Sequence, residues 1–176
     1  MSSNIIVRDA AAICERVNFA ALEGKTILVT GASGLLGTYF LATLAHLKEN
    51  GMSLEVIAQV RSEPAPHTVE IIKRGGFKLA QVNLADDRQC SSLPEADVVV
   101  HSAGYAQPAI FMANPAATIQ VNTTATAVLL QKLRPGGSFL FLSSSEIYSG
   151  LKKALINESD IGTTTPLHPR SSYIEG

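Results

Sequence analysis

The sequence predicts an α/β fold, a doubly wound parallel sheet with helices on both faces, and three observations predict it. From Lys25 onward, short β-branched runs alternate with longer helical patterns, the sign of parallel strands joined by crossover helices. The first of those strands runs directly into Gly31-Ala32-Ser33-Gly34-Leu35-Leu36-Gly37 and then into an amphipathic helix, so a GxxGxxG pattern stands in strand-turn-helix context. The chain has 176 residues, 46% apolar and 16% charged, which supplies one ordinary globular core.

Taken in order, Val7 to Phe19 carries Val7, Ala10, Ala11, Cys14 and Val17 at helical spacing, so residues 1–24 read as an amino-terminal helical extension that packs and does no chemistry. Residues 25–176 read as the nucleotide-binding domain. Its strands are expected at Thr26 to Thr30, Leu54 to Val60, Phe77 to Val82, Val98 to His101 and Phe139 to Leu142. Its helices are expected at Leu35 to Glu49, Thr68 to Arg74 and Pro115 to Leu133, the last opened by Asn114-Pro115. Pro64 to His67 and Ser149 to Pro169 read as loops.

Composition narrows the function. With 14 basic and 15 acidic residues scattered along the chain, net charge −1, there is no clustered cation to grip nucleic acid or an anionic membrane. Cys14 and Cys90 stand far apart with no Cys or His at ligand spacing, so neither a disulfide framework nor a metal site is expected. No apolar run reaches membrane-spanning length, Met1 to Ile6 lacks a basic stretch followed by an apolar run, and a cytoplasmic setting is expected.

The glycine pattern carries the chemistry. Gly31 makes the tight turn off the strand, Gly34 clears the approach of backbone to a pyrophosphate, and Gly37 lets the helix pack on the sheet. Amides of Ser33, Leu35 and Leu36 at the helix start then face the phosphates, where the helix dipole favours negative charge. This is a Rossmann-like cradle for NAD or NADP. The second strand ends in Gln59-Val60-Arg61-Ser62, without the acid that would select NAD through the adenosine ribose. Arg61 offers a guanidinium to a 2′-phosphate or is an ordinary surface arginine, and the choice of cofactor stays open. Beyond the fourth strand, the small residues Ser102-Ala103-Gly104 leave room for the nicotinamide ribose, because parallel sheets bind ligands past the carboxyl ends of their strands. Tyr105 and Gln107 follow within reach of a substrate, and Asn122 on the long helix is placed to brace the active-site backbone. His101 and Tyr148 read as packing residues.

Three further segments in order, Asp97-Val98-Val99-Val100-His101-Ser102-Ala103, Ser143-Ser144-Ser145-Glu146-Ile147-Tyr148 and Pro169-Arg170-Ser171-Ser172-Tyr173, resemble the extended short-chain dehydrogenase/reductase family, the nucleotide-sugar epimerases and dehydratases. The resemblance spans about Lys25 to Gly176. The run from His101 through Tyr105, Pro108, Asn114-Pro115 and Thr118 to Asn122 is most similar to the UDP-glucuronate decarboxylases of that family. The resemblance implies NAD, transient oxidation of the sugar at C4 with Tyr173 taking the proton and Ser144 holding the oxygen, an adenine contact at Asn83-Leu84, a cofactor contact at Tyr173, and a homodimer. Dehydratases carry Asp then Glu after the catalytic Ser or Thr to expel the C6 hydroxyl. The pair here is Ser145-Glu146, which favours decarboxylation, with 4-epimerisation or 4,6-dehydration as the alternatives. The family's YxxxK lysine would stand one position beyond Gly176, so the chain is expected to be the amino-terminal part of a longer enzyme, inactive by itself and lacking the substrate region. A non-catalytic dinucleotide-binding module is the alternative of another class.

Overall fold

The computed structural model describes residues 2–176. A five-stranded sheet runs through it: β1 (Thr26–Thr30), β2 (Glu55–Val60), β3 (Lys78–Gln81), β4 (Ala96–His101) and β5 (Leu133–Phe141), all pairings parallel, in the order β3-β2-β1-β4-β5. The chain moves outward from β1 to β3 and then returns to the other side of β1, so the direction of winding reverses between β1 and β4. That switch point opens a crevice past the carboxyl ends of the strands, where such sheets bind ligands.

Both faces of the sheet are covered, which is why the strands read as nearly continuous apolar runs. Ile27, Val29, Val56 and Ala58 point to one face and pack with α1 (Ser2–Arg16), α2 (Leu35–Glu49) and α3 (Pro66–Gly75). Leu28, Ile57 and Val99 point to the other, against Val121, Ala125 and Leu129. The alternation of Ile27 and Val29 against Leu28 is the period-two geometry of a strand. Helix α1 lies on α2, with Ala10 fully buried and the Tyr39 hydroxyl donating to Asp9 Oδ2 at 3.2 Å.

Several expected boundaries move. Helix α1 occupies Ser2–Arg16 in place of Val7 to Phe19, and α3 begins at Pro66, whose fixed φ suits a first helical turn, so part of the expected Pro64 to His67 loop is helix. Short helices that were not anticipated include α4 (Asp87–Ser91), capped by Asp86 accepting the Arg88 and Gln89 N–H groups at 3.0 and 3.1 Å, and α5 (Pro108–Ala113). The long helix expected over Pro115 to Leu133 is α6 (Pro115–Ile119), a π-turn over Gln120–Thr124 and α7 (Ala125–Gln131). Strand β5 starts at Leu133, well before Phe139, because the strand continues through Pro135-Gly136-Gly137 by an irregularity: Ala96 pairs with Leu133 and Val98 with Ser138. Strands β2, β3 and β4 also shift at their ends by one or two residues. Ser149 to Pro169 carries neither helix nor strand, as expected. Among the described residues no helix is long and apolar enough to cross a membrane, and no cluster of metal-ligating side chains occurs.

Candidate active site

The turn off β1 is shaped by contacts that exclude a side chain. Gly31 sits at φ +63°, and a Cβ there would lie 2.7 Å from the Cα and N of Ala103. A Cβ on Gly37 would collide with the Gly31 carbonyl oxygen and stand 2.8 Å from Ala32 Cα. These approaches bring the start of α2 against the turn. The first intrahelical bond is Thr38 N–H to the Gly34 carbonyl at 2.9 Å, so the amides ahead of it stand at the helix mouth without an intrahelical acceptor. Leu35 and Leu36, beside them, are 77% and 55% exposed.

Gln59, which sequence reasoning passed over, holds this turn. Its side chain is 1% exposed; its Oε1 accepts the Gly31 N–H at 3.0 Å, its Nε2 donates to the Val82 carbonyl at 2.6 Å, and its own carbonyl accepts the Ala32 N–H at 3.0 Å. A lone amide inside the apolar run Val56-Ile57-Ala58-Gln59-Val60 was the available signal, since buried polar groups are retained where they are hydrogen-bonded.

Two cavities open along the crevice. The first, about 490 Å³, is lined by Gly31, Ser33, Gly34 and Leu35 on one side and by Arg61, Asn83, Leu84, Tyr105 and Gln107 on the other. The second, about 400 Å³, is lined by Leu36, Asn122, Ser144, Glu146 and Tyr173. Ser102, Ala103 and Gly104 line both and separate them. The Ser102 hydroxyl donates to the Thr30 carbonyl at 2.5 Å, fastening the ends of β1 and β4 together. Tyr105 and Gln107, expected near the substrate, stand in the first cavity and not beside Ser144. Ser145 and Gly37 line neither. Asn83 Oδ1 accepts the Ala85 N–H at 3.2 Å, and Leu84 is buried.

In the second cavity the polar groups are held by neighbours. Ser144 caps the short 3-10 helix Ser145–Tyr148, its Oγ accepting the Glu146 N–H at 3.2 Å. Glu146 pairs with Arg170 at 2.8 Å and accepts the Ser149 hydroxyl at 3.3 Å. The Arg170 guanidinium lies 5.5 Å over the ring of buried Phe111, and Phe111 stacks on Tyr173 with centroids 4.5 Å apart and planes 7° from parallel. Phe111 and Arg170 therefore connect the carboxylate to the phenol, and neither was singled out from the sequence; Tyr173 itself lies on α8 (Ser171–Ile174).

Behind both cavities lies His101, 1% exposed. Its Nε2 is 3.1 Å from the Val121 carbonyl and must donate to it, which leaves Nδ1 to accept the Thr30 hydroxyl at 2.7 Å. The Thr30 oxygen in turn accepts the Ala103 N–H at 3.3 Å. Burial pushes the His101 pKa below the ordinary histidine value, against a smaller upward pull from its bond to Val121. In the unfolded chain the ring takes a proton near pH 6.5 while the folded ring stays neutral, so the unfolded state binds more protons and stability is lost as the pH is lowered. Urea unfolding should show stability declining below about pH 6.5 by up to ~1.4 kcal/mol per pH unit. The His101→Gln variant should lose that part of the slope; an unchanged slope would remove His101 as its source.

Residues 27–175 match the NAD dependent epimerase/dehydratase family. Among curated relatives, the chain is 28% identical over 155 residues to UDP-glucuronic acid decarboxylase 1 of Danio rerio, covering 88% of this chain and 35% of that protein. It is 30% identical over 145 residues to a dTDP-4-dehydro-6-deoxy-D-allose reductase of a Streptomyces species, covering 78% and 43%. The chain thus spans between about a third and just over two fifths of the length of these relatives. Among solved structures, the UDP-glucose 4-epimerase of Bifidobacterium longum in complex with NAD+ and UDP superposes with TM-score 0.61 at 25% identity, over 84% of this chain and 45% of that one. The UDP-Glc/GlcNAc 4-epimerase of Campylobacter jejuni shares the fold, with TM-score 0.65 at 21% identity over 86% and 46%. The chain belongs to the NAD dependent epimerase/dehydratase family.

Proposed function

We propose that this chain is the dinucleotide-binding part of an enzyme that oxidises a nucleotide sugar at C4, and that its reaction is the decarboxylation of UDP-glucuronate. The observation that carries the reading is the pair of adjoining cavities: a glycine cradle opens on one side of Ser102 to Gly104, and Ser144, Glu146 and Tyr173 line the other. The cradle fits a pyrophosphate, because its glycines sit where a Cβ would strike backbone and its helix mouth presents amides.

The glycine turn and the amides at the mouth of α2 would hold NAD in the first cavity, where it would supply a reversible hydride acceptor. Tyr173 takes the proton of the C4 hydroxyl, and Ser144 hydrogen-bonds the oxygen as its charge grows. A ketone at C4 makes the carboxylate on C5 that of a β-keto acid; its C5–C6 bond breaks to release CO2, the bonding pair passes into the C4 enolate, and C5 then takes up a proton. Arg170, paired with Glu146, compensates the negative charge that the substrate carboxylate would meet. Ser145 in place of an aspartate leaves no donor for the C6 hydroxyl, which disfavours dehydration. The Phe111 stack keeps the Tyr173 ring at the cavity wall.

We take NAD as the cofactor; Arg61 at the end of β2 is compatible with NADP, and the ratio of the two dissociation constants, read by calorimetry, decides. We further propose a cytoplasmic homodimer using the surface of α6 and α7, where Ile119 and Leu130 are exposed; a monomer by light scattering at high concentration counts against it. The central test is a product assay on the full gene product with UDP-glucuronate and NAD+. Mass spectrometry should show the nucleotide sugar lighter by one CO2. An epimerised or reduced sugar of unchanged carbon count would replace decarboxylation by another reaction of the same site, and no change with any nucleotide sugar would overturn the enzyme reading in favour of a binding module.

A further inference from the structure

We propose that Tyr105 and Arg61 form a clamp that closes over the dinucleotide and must open for it to enter or leave, so that Tyr105 acts on cofactor exchange and not on the sugar. The inference rests on the reading of the first cavity as the cofactor site. Arg61 Nη1 donates to the Tyr105 hydroxyl at 2.7 Å, and the guanidinium carbon lies 5.2 Å from the centre of the Tyr105 ring. One contact is a charge-assisted hydrogen bond and the other a cation–π approach, and they act on the same two side chains.

Where the pair lies gives it this role. Arg61 follows β2 and Tyr105 follows β4, and these strands are not neighbours: β1 runs between them, paired to both. The bond therefore arches from one side of β1 to the other, across the carboxyl end from which the Gly31 turn emerges. A dinucleotide whose pyrophosphate rests on that turn and whose adenosine extends toward β2 and Asn83 has to pass this bridge. Among the described residues Arg61 forms no ion pair, so its guanidinium is held by Tyr105 and not by a carboxylate that would fix it permanently. Arg61 is exposed and Tyr105 half-buried, a combination that leaves the bridge free to swing. An enzyme that reoxidises its cofactor in each cycle has no need to release it, and a clamp retains it between cycles.

The test uses NADH fluorescence with this chain in stopped flow, measuring association by mixing and release by displacement with excess NAD+. Tyr105→Phe keeps the ring and removes the hydroxyl; Tyr105→Ala removes both. A clamp that is closed in the free protein slows both directions, so release and association should both rise, about fivefold in the phenylalanine variant and more in the alanine variant, while the dissociation constant changes far less. Faster release at unchanged association would overturn the gate and leave Tyr105 as an ordinary contact. Unchanged rates in both variants, with native unfolding transitions, would overturn the clamp altogether. Absence of any NADH binding by the unsubstituted chain would overturn the cofactor reading beneath it, an outcome distinct from the other two.

Discussion

Replacing Gly31 with alanine is expected to lower stability by about 2–5 kcal/mol and to weaken NADH binding at least tenfold. Two separate costs add. The φ of +63° is unfavourable for any residue with a Cβ, by ~1–2 kcal/mol. The new methyl would also stand 2.7 Å from the Ala103 backbone, so β1 and β4 must part at their ends, an overpacking cost of ~1–3 kcal/mol. Gly51→Ala separates the two. Gly51 has φ +95° and nothing within 4 Å of its would-be Cβ, so it bears the conformational cost alone. Urea unfolding of both variants checks the account: Gly31→Ala should be clearly the worse, and equal losses would mean that the contact with Ala103 yields easily. The binding loss follows from the same displacement, because moving the turn carries the amides at the mouth of α2 away from the phosphates, and fixed donors lose their value within a fraction of an ångström of misplacement.

The parts that were legible in the sequence are those decided locally. The run Thr26 to Gly37 holds strand, turn and helix start within a dozen residues, and α2 lies where its pattern puts it, from Leu35 to Glu49. What escaped notice depends on contacts far apart in the chain. Phe111 reads as one apolar residue after a proline until α5 is laid against α8, where it becomes the surface on which Tyr173 and Arg170 rest. The early start of β5 was hidden because Pro135-Gly136-Gly137 has the composition of a turn, and only pairing with β4 makes it strand. The π-turn at Gln120–Thr124 was invisible for a different reason: one widened turn barely alters the spacing of Val121, Ala125 and Leu129, yet it sets the place of the Val121 carbonyl that receives His101.

Gln59 is the other position where a single change should have a large effect, and its two bonds make the effect separable. Gln59→Leu keeps the volume and removes both partners, leaving the part-buried Gly31 N–H and Val82 carbonyl unpaired; at ~1–3 kcal/mol each, a loss of about 2–6 kcal/mol is expected. Gln59→Glu preserves the acceptor for Gly31 and loses the donor to Val82, so at neutral pH a buried carboxylate would face a carbonyl oxygen. Protonation restores the donor, so the folded state holds this proton at a pH where the unfolded glutamate, near 4.3, has released it. A carboxyl whose pKa is raised by folding stabilises the protein at low pH, and that contribution is lost as pH rises through the folded value. Measured as the difference from the unsubstituted protein at each pH, Gln59→Glu should be strongly destabilised at pH 8 and recover part of the loss by pH 5.5. The direction is opposite to that set by His101, whose contribution fades as the solution is acidified. A difference that stays constant across this range would mean that Val82 finds another donor, and that Gln59 holds the glycine turn through the Gly31 N–H alone.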